Sequence, residues 1–300
     1  MATAVFVGLA TLDIAYAVRR YPAEDSKTQA EDQFLGAGGP AANAAVAYAF
    51  LSGRTPALVT ALGEHPLAQV IRRDLDDHGV APVDMTPGGD QRPPVSSVVV
   101  ATETGTRTIV SLDGSRIAAG FEPSQLGPLN DASIVLTDGH YPESAIGFAT
   151  AARKSGVTVV LDAGRWRPVH AELLPLVDIA ICSASFRPPD SGATPDEVFD
   201  RVHAYGVGRI AITQGGGPIR YSTPEDRGGI AVPSAPAVDT LGAGDILHGA
   251  FCHYHVAGQS FPDALRSAAA VATRSCEYLG TREWMRHLPP HTSGATQSSR

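Results

Sequence analysis

Two glycine-rich stretches hold the residues best able to do chemistry. Residues 239–245 read DTLGAGD. Gly242, Ala243 and Gly244 are small enough to let backbone N–H groups converge on an anion. A helix beginning at Asp245 adds the positive end of its dipole. A phosphoryl group in transfer needs these surroundings, because the protein mainly positions it and neutralises its charge. Asp245 at the mouth of such a hole would repel a phosphate that was only bound. It makes sense as the acceptor of a proton from an attacking hydroxyl. Asp is also a favoured N-cap, and the two roles are compatible.

The second stretch, GAGGPAANAA at 36–45, matches the relaxed dinucleotide fingerprint through Gly36, Gly38 and Ala41. The fingerprint should directly follow the first strand, with an acidic residue about 20 positions on. Here the first strand ends near Leu9, and the nearest acid, Glu64, comes too late. A phosphate-binding P-loop needs Gly-Lys, and neither Lys27 nor Lys154 follows a glycine. The protein-kinase triplets HRD and DFG are absent. DTLGAGD remains as the phosphate loop, and GAGG is left to hold something else.

The elements that must position these loops alternate along the chain. Candidate strands fall at 5–9, 57–61, 134–137, 157–162, 179–182 and 210–213, with a β-type stretch ending near Val238. Candidate helices fall at 41–51, 67–77, 144–154, 195–205, 245–256 and 261–275. This alternation is the signature of an α/β fold with a mostly parallel sheet covered on both faces. Gly53, Gly79, Gly156 and Gly206 stand where helix stops are expected. Segments 15–34 and 93–112 contain no helix, and 95–101 and 106–112 read as two strands about a turn. They suggest a small sheet standing off the main body, able to cover a ligand and exclude water. Residues 289–300 are polar and read as a disordered tail.

Composition removes several function classes. The chain has 300 residues, 43% of them hydrophobic, and a net charge of −8. No basic stripe suggests a nucleic-acid partner. No apolar run approaches the roughly 20 residues of a membrane helix, and the N-terminus lacks the basic region of a signal peptide. Cys182, Cys252 and Cys276 form no C-x-x-C pair. Reduced thiols in a cytoplasm are the expectation.

Four segments carry a family resemblance. DTLGAGDILHGAF at 239–251 resembles the C-terminal signature of the PfkB, or ribokinase-like, carbohydrate kinases. GGPAANAAVAYAFLSG at 38–53 resembles the N-terminal signature, GLATLD at 8–13 the first-strand substrate aspartate, and ITQGGGP at 212–218 the nucleotide strand and loop. The ketohexokinase and sulfosugar-kinase branches resemble the chain locally in GGPAA and TQG.

The resemblance implies one α/β kinase domain over 1–288. It would be a three-layer α/β/α sandwich with a β lid drawn from about 14–35 and 92–113. It implies phosphorylation of a hydroxyl, usually a primary alcohol, by ATP and Mg²⁺. Asp245 would be the general base, with the amides of Gly242, Ala243 and Gly244 as anion hole. Asp13, Gly38, Gly39 and Asn43 would hold the sugar. Thr213, Gly215 and Gly217 would lie along the phosphates, with Cys276 to Gly280 beside the adenine. Asp239 and the Leu241 carbonyl match positions that bind K⁺ in some members. Members with an exposed lid often dimerise through it.

The chain departs from the family pattern at one motif. Ser183 and Phe186, in AICSASFRPPD, stand where many members carry the Asn and Glu of N-x-x-E, which organises Mg²⁺. Metal handling must then differ, fall to other groups, or be impaired. An impaired, ligand-binding homologue is one alternative, although an inactive kinase has no need of Asp245. A nucleoside kinase is another, since Phe34 and Tyr16 could line a slot for a base. Lys27 at the start of the lid is either an anion contact or a solvated lysine. Arg165 and Arg167, in DAGRWRP, either reach a phosphate or form surface ion pairs. His248, His253 and His255 read as packing or surface residues behind Asp245, since positions 253 and 255 diverge by about 200° on a helix.

Overall fold

The computed structural model describes residues 3–192 and 194–288, so the tail expected at 289–300 lies outside the described residues. The chain enters through β1 (Thr3–Val7), leaves into β2 (Thr11–Val18) and β3 (Asp32–Gly38), and returns as α1 (Pro40–Ser52) and β4 (Ala57–Thr60). Next come α2 (Pro66–Asp77), β5 (Ala81–Asp84), β6 (Val95–Ala101) and β7 (Thr106–Ser111). Helices and strands then alternate: β8 (Ala132–Thr137), α3 (Pro142–Lys154), β9 (Thr158–Ala163), α4 (Val169–Leu173), β10 (Ile179–Ser183), α5 (Pro195–Ala204) and β11 (Arg209–Gln214). β12 (Gly217–Ser222) and β13 (Arg227–Ile230) precede α6 (Ala243–Val256) and α7 (Phe261–Ser275). Proline opens α1, α2, α3 and α5, where its missing N–H has no helical acceptor in any case.

The larger sheet has nine strands in the order β13-β12-β11-β10-β9-β8-β1-β4-β5. From β11 to β5 every pairing is parallel. Helices cover both faces, so the central strands are apolar at nearly every position. Ala4 and Phe6 of β1 join Leu136, Val160 and Ile181 beneath α1, α6 and α7. Val5 and Val7 point the other way, with Val135, Val159 and Ala180, beneath α3 and α5. This is the three-layer α/β/α sandwich, with a mostly parallel central sheet and a separate small one.

The smaller sheet runs β3-β2-β6-β7. Its register places Asp13, Gly36, Ser96 and Ser111 in one row, and Ala15, Phe34, Val98 and Ile109 in the next row of the same face. That face packs Ala15, Val98 and Phe34 on Leu241 and Leu279 of the main body. Ile14, Leu35 and Val110 share the opposite face, with Leu35 52% and Val110 72% exposed.

Three expectations change. Gly36 and Gly38 lie within β3 rather than in a loop. Residues 231–238 form no strand and are tied down instead, with the Val238 N–H donating to the Cys276 carbonyl. β5, β12, β13 and the short α4 appear where no element was expected, while β2 and β3 run past both ends of the first lid segment. Among the described residues no helix is long and apolar enough to cross a membrane.

Candidate active site

Chain order reverses between β1 and β8: β4 and β5 lie on one side of β1, and the later strands on the other. In open α/β sheets the crevice beyond such a switch point receives the ligand. Asp138 closes β8 there. Its Oδ2 accepts the Leu9 N–H at 2.9 Å and the Ala41 N–H at 3.2 Å, and its Oδ1 accepts the His140 N–H at 2.9 Å. His140 and these amides outweigh burial and pull Asp138 down to about 2. The buried carboxylate thereby pins the start of α1 to the end of β1.

α1 carries Asn43 into the crevice. Its alanines let α6 approach closely: a Cβ on Gly249 of α6 would stand 2.1 Å from the Ala44 carbonyl. That approach lets the Asn43 Nδ2 donate to Asp245 Oδ2 at 2.8 Å. Asp13, on the inner face of β2, is 5% exposed and accepts the Thr11 hydroxyl at 2.6 Å. Burial raises its pKa, against the Thr11 and Ser96 hydroxyls and the charge of Arg282. Gly38 admits it, since a Cβ there would fall 2.0 Å from Asp13 Oδ2. Gly39 has φ +92°, and its Cβ would meet the Leu9 carbonyl at 2.5 Å. Asn43 thus bonds Asp245, Asp13 acts on it through its charge, and Gly38 lies against Asp13.

Asp245 lies in the first turn of α6, behind Gly242 at φ 68°. Burial pushes it up to about 7, with the neighbouring Asp162 adding to the rise and the Asn43 amide and His248 opposing it. Asp162, from β9, is itself raised by burial. Its Oδ2 lies 3.4 Å from His248 Nδ1, which also faces the Gly244 carbonyl at 2.7 Å. The Ile246 N–H makes the first bond of α6, to the Gly242 carbonyl at 2.8 Å. Amides ahead of it stand outside the helical ladder. That of Ala243 leans on the Thr240 carbonyl at 3.3 Å, so Gly242 and Gly244 are the better anion donors.

A cavity of about 440 Å³ opens against Ala243 and Gly244. Thr213, Gly215, Gly216 and Cys276 line it, and Ile219, Val232, Leu247 and Ala272 give it an apolar end. Gly217 and Gly280 are not part of its wall. Gly217 begins β12, so the turn contributes Gly216 in its place. The Gly280 N–H donates to Asp239 Oδ2 at 2.9 Å, and a Cβ there would meet Phe34. Asp239 Oδ1 accepts the Leu241 N–H at 2.9 Å, so this carboxylate is occupied by backbone without any cation.

The pfkB family carbohydrate kinase model matches residues 1–287. The chain belongs to this family. It is a phosphotransferase with an alcohol group as acceptor. It is 31% identical to a ribokinase of Arabidopsis thaliana over 299 residues, 92% of this chain and 76% of that one. It is 26% identical to an ATP-dependent ribose-1-phosphate kinase of Halopiger xanaduensis, covering 94% of each. The structure of the Arabidopsis ribokinase complexed with ribose and ATP superposes with a TM-score of 0.78, at 27% identity, over 93% of this chain and 94% of that one.

Other expected contacts within this pfkB kinase resolve differently. Lys27 is exposed in the loop joining the far ends of β2 and β3. Five strand residues, roughly 17 Å, separate Asp13 from that end, so Lys27 is not brought to Asp13. Tyr16 projects from the outer face of β2 while Phe34 lies on the inner one; the aromatic slot loses half its walls. Arg167 donates to the Asp138 carbonyl, and Arg165 is exposed. Phe186 is fully buried against Trp166 and His170, and the Ser183 hydroxyl donates to the Gly164 carbonyl at 2.6 Å. Neither replaces a metal-organising carboxylate. His248 is no bystander, since it is buried and borders Asp162.

Arg107 and Arg282 carried no motif. Arg107 of β7 lines the nucleotide-sized cavity and donates to the Thr240 hydroxyl. Arg282 is 9% exposed and its Nη1 donates to Asn43 Oδ1 at 3.0 Å. Arg282, among Glu277, Thr281, Glu283, Arg286 and His287, gave no local signal.

Proposed function

We propose that this kinase transfers the γ-phosphoryl group of ATP to a primary hydroxyl of a sugar or sugar-like alcohol, with Asp245 as base. The observation that carries the reading is Asp245 itself: a carboxylate held up to about 7, in the first turn of α6, bonded to Asn43 and next to the Ala243 and Gly244 that border the cavity. A base poised near neutral pH takes a proton efficiently while still being ionised often enough to act. Asp245 removes the acceptor's hydroxyl proton as that oxygen attacks the γ-phosphorus. The bond from phosphorus to the ADP oxygen breaks in line, and the Gly242 and Gly244 amides stabilise the charge on the phosphoryl oxygens.

Asp13 and Asn43 hold acceptor hydroxyls, and a ligand lacking one leaves a buried polar group unpaired. ATP lies in the 440 Å³ cavity, its base toward the apolar end and its phosphates along Thr213, Gly215 and Gly216. The smaller sheet acts as a lid over the sugar, and Arg107 ties it to the phosphate loop. Closure excludes water, which protects ATP from hydrolysis.

Mg²⁺, when bound, neutralises phosphate charge. Such an ion would need few protein ligands, so one acidic side chain near the phosphates would suffice. Among the described residues no group of three or more His, Cys, Asp or Glu is set to hold a metal. Asp162, beside Asp245 and His248, would be the carboxylate to hold it in place of the missing N-x-x-E. K⁺ near Asp239 and Leu241 has a weaker case, because Asp239 already accepts two amides. The exposed outer face of the lid, with Leu35 and Val110, supports a homodimer through that sheet.

The test is ATP turnover with ketoses, aldoses and nucleosides by wild type and Asp245→Asn. At least one sugar should give turnover that falls on the order of 10²–10⁴-fold in the variant. Turnover that survives the substitution, or no acceptor at all, refutes the reading.

A further inference from the structure

Arg282 reaches Asn43 across 239 positions of sequence. Its guanidinium is almost fully enclosed, and acceptors surround it. Nη1 donates to Asn43 Oδ1 at 3.0 Å and to the Thr281 hydroxyl at 2.8 Å. Nη2 donates to the Ala37 carbonyl at 2.7 Å and to Asp74 Oδ2 at 3.0 Å. Nε reaches the same Asp74 oxygen at 3.3 Å. Asp74, from α2, also accepts the Ala37 N–H at 3.1 Å. Asp74 and Arg282 thus hold both backbone groups of Ala37 at the base of β3. Gly36 makes room for them, since its Cβ would stand 3.0 Å from Asp74 Oδ1.

The chemistry of the fork decides an orientation. A guanidinium has donors and no acceptor. The Asn43 oxygen must therefore face Arg282, and its NH₂ group must face Asp245. An unrestrained amide could turn its oxygen toward the carboxylate, where two acceptors would oppose each other. Held as it is, the amide fills one oxygen of Asp245 and leaves the other free.

We propose that Arg282 is a positioning residue for phosphoryl transfer: braced by Asp74, it fixes the Asn43 amide, which in turn selects the Asp245 oxygen that receives the acceptor's proton. This rests on Asp245 being the base. It also joins the base of the lid at Ala37 to the Asp245 carboxylate through two side chains, Arg282 and Asn43.

Steady-state kinetics with the sugar that is turned over would test it, using Arg282→Met, Arg282→Lys, Asn43→Ala and Arg282→Met/Asn43→Ala. Loss of orientation in Arg282→Met should lower kcat about ten- to a hundredfold, with the KM for ATP within about twofold. Arg282→Lys should behave alike, because one ammonium cannot replace the fork. The double variant should be no slower than Asn43→Ala alone, the mark of two residues acting as a unit. Losses that multiply, or wild-type kcat in Arg282→Met, overturn the proposal. If Arg282→Met does not fold, Asp74→Asn loosens the same guanidinium. Its kcat loss should vanish in the Asn43→Ala background, and an unchanged kcat overturns the proposal. Asp245→Asn measured alongside separates the two ideas. If it stays active, the base assignment fails. If it is inactive while the Arg282 and Asn43 losses multiply, only the orienting role fails.

Discussion

Asp245→Asn should make the protein more stable, and by an amount that depends on pH. Burial and Asp162 move Asp245 from 3.8 to about 7. The native state then holds this proton more tightly than the unfolded chain does. The stability linked to the raised value is fully present below pH 4 and is lost as pH climbs through 7. A rise of that size is worth about 4 kcal/mol, an upper value because the carboxylate keeps some contact with water. An asparagine carries no charge at any pH, and its Oδ1 can still accept from Asn43. The variant should exceed wild type by up to about 4 kcal/mol at pH 8, by under about 2 kcal/mol at pH 5, and by almost nothing at pH 4. For 300 residues the unfolding entropy is roughly 0.6 kcal/mol/K, which turns the pH 8 gap into about 3 to 7 °C of Tm. Calorimetry of both ligand-free proteins from pH 5 to 8.5 reads it directly. A gap that is absent, or constant across that range, would refute a catalytic carboxylate held near neutrality.

Three further outcomes follow from the site. Gly38→Ala puts a Cβ 2.0 Å from Asp13 Oδ2, so the KM for the acceptor should rise about tenfold or more, with the KM for ATP little changed; equal effects on both would argue against a sugar role for Asp13. Arg107→Met removes the cation that lines the 440 Å³ cavity and bonds Thr240. The KM for ATP should rise roughly five- to tenfold, about 1 kcal/mol, and an unchanged value would free Arg107 of that role. Val110→Asp charges the outer face of the lid where Val110 is 72% exposed. Light scattering should show dimer giving way to monomer with stability shifted by less than about 0.5 kcal/mol, and an unaffected dimer would place the interface elsewhere.

Much of the main body was legible because its signals are local. Helix stops at glycine and apolar runs for strands buried on both faces sit within a few residues of one another. β2 and β3 were harder. Asp13, Gly36 and Gly38 are poor strand formers, and they sit in strands because β2 pairs with β3 and β6 along its whole length. Gly217 and Gly280 looked like nucleotide contacts from motif alone, yet one opens a strand and the other passes beneath Phe34. A glycine's type says that backbone comes close to something, and only the fold says to what.

The sequence by itself singled out the groups proposed to do chemistry: the carboxylate of Asp245, the amides ahead of it, and the polar pair Asp13 and Asn43. Those choices are written in residue type and short spacing. The tertiary structure alone decided how they are tuned. Asn43 meets Asp245 from 202 positions away, and Arg282 meets Asn43 from 239. Asp162 raises Asp245 from another strand, and Asp138 pins α1 from the far side of the switch point. Such partnerships follow from which strand ends and helix starts the packing brings together. Hydrogen-bond and charge effects act over a few ångströms of space whatever the separation along the chain.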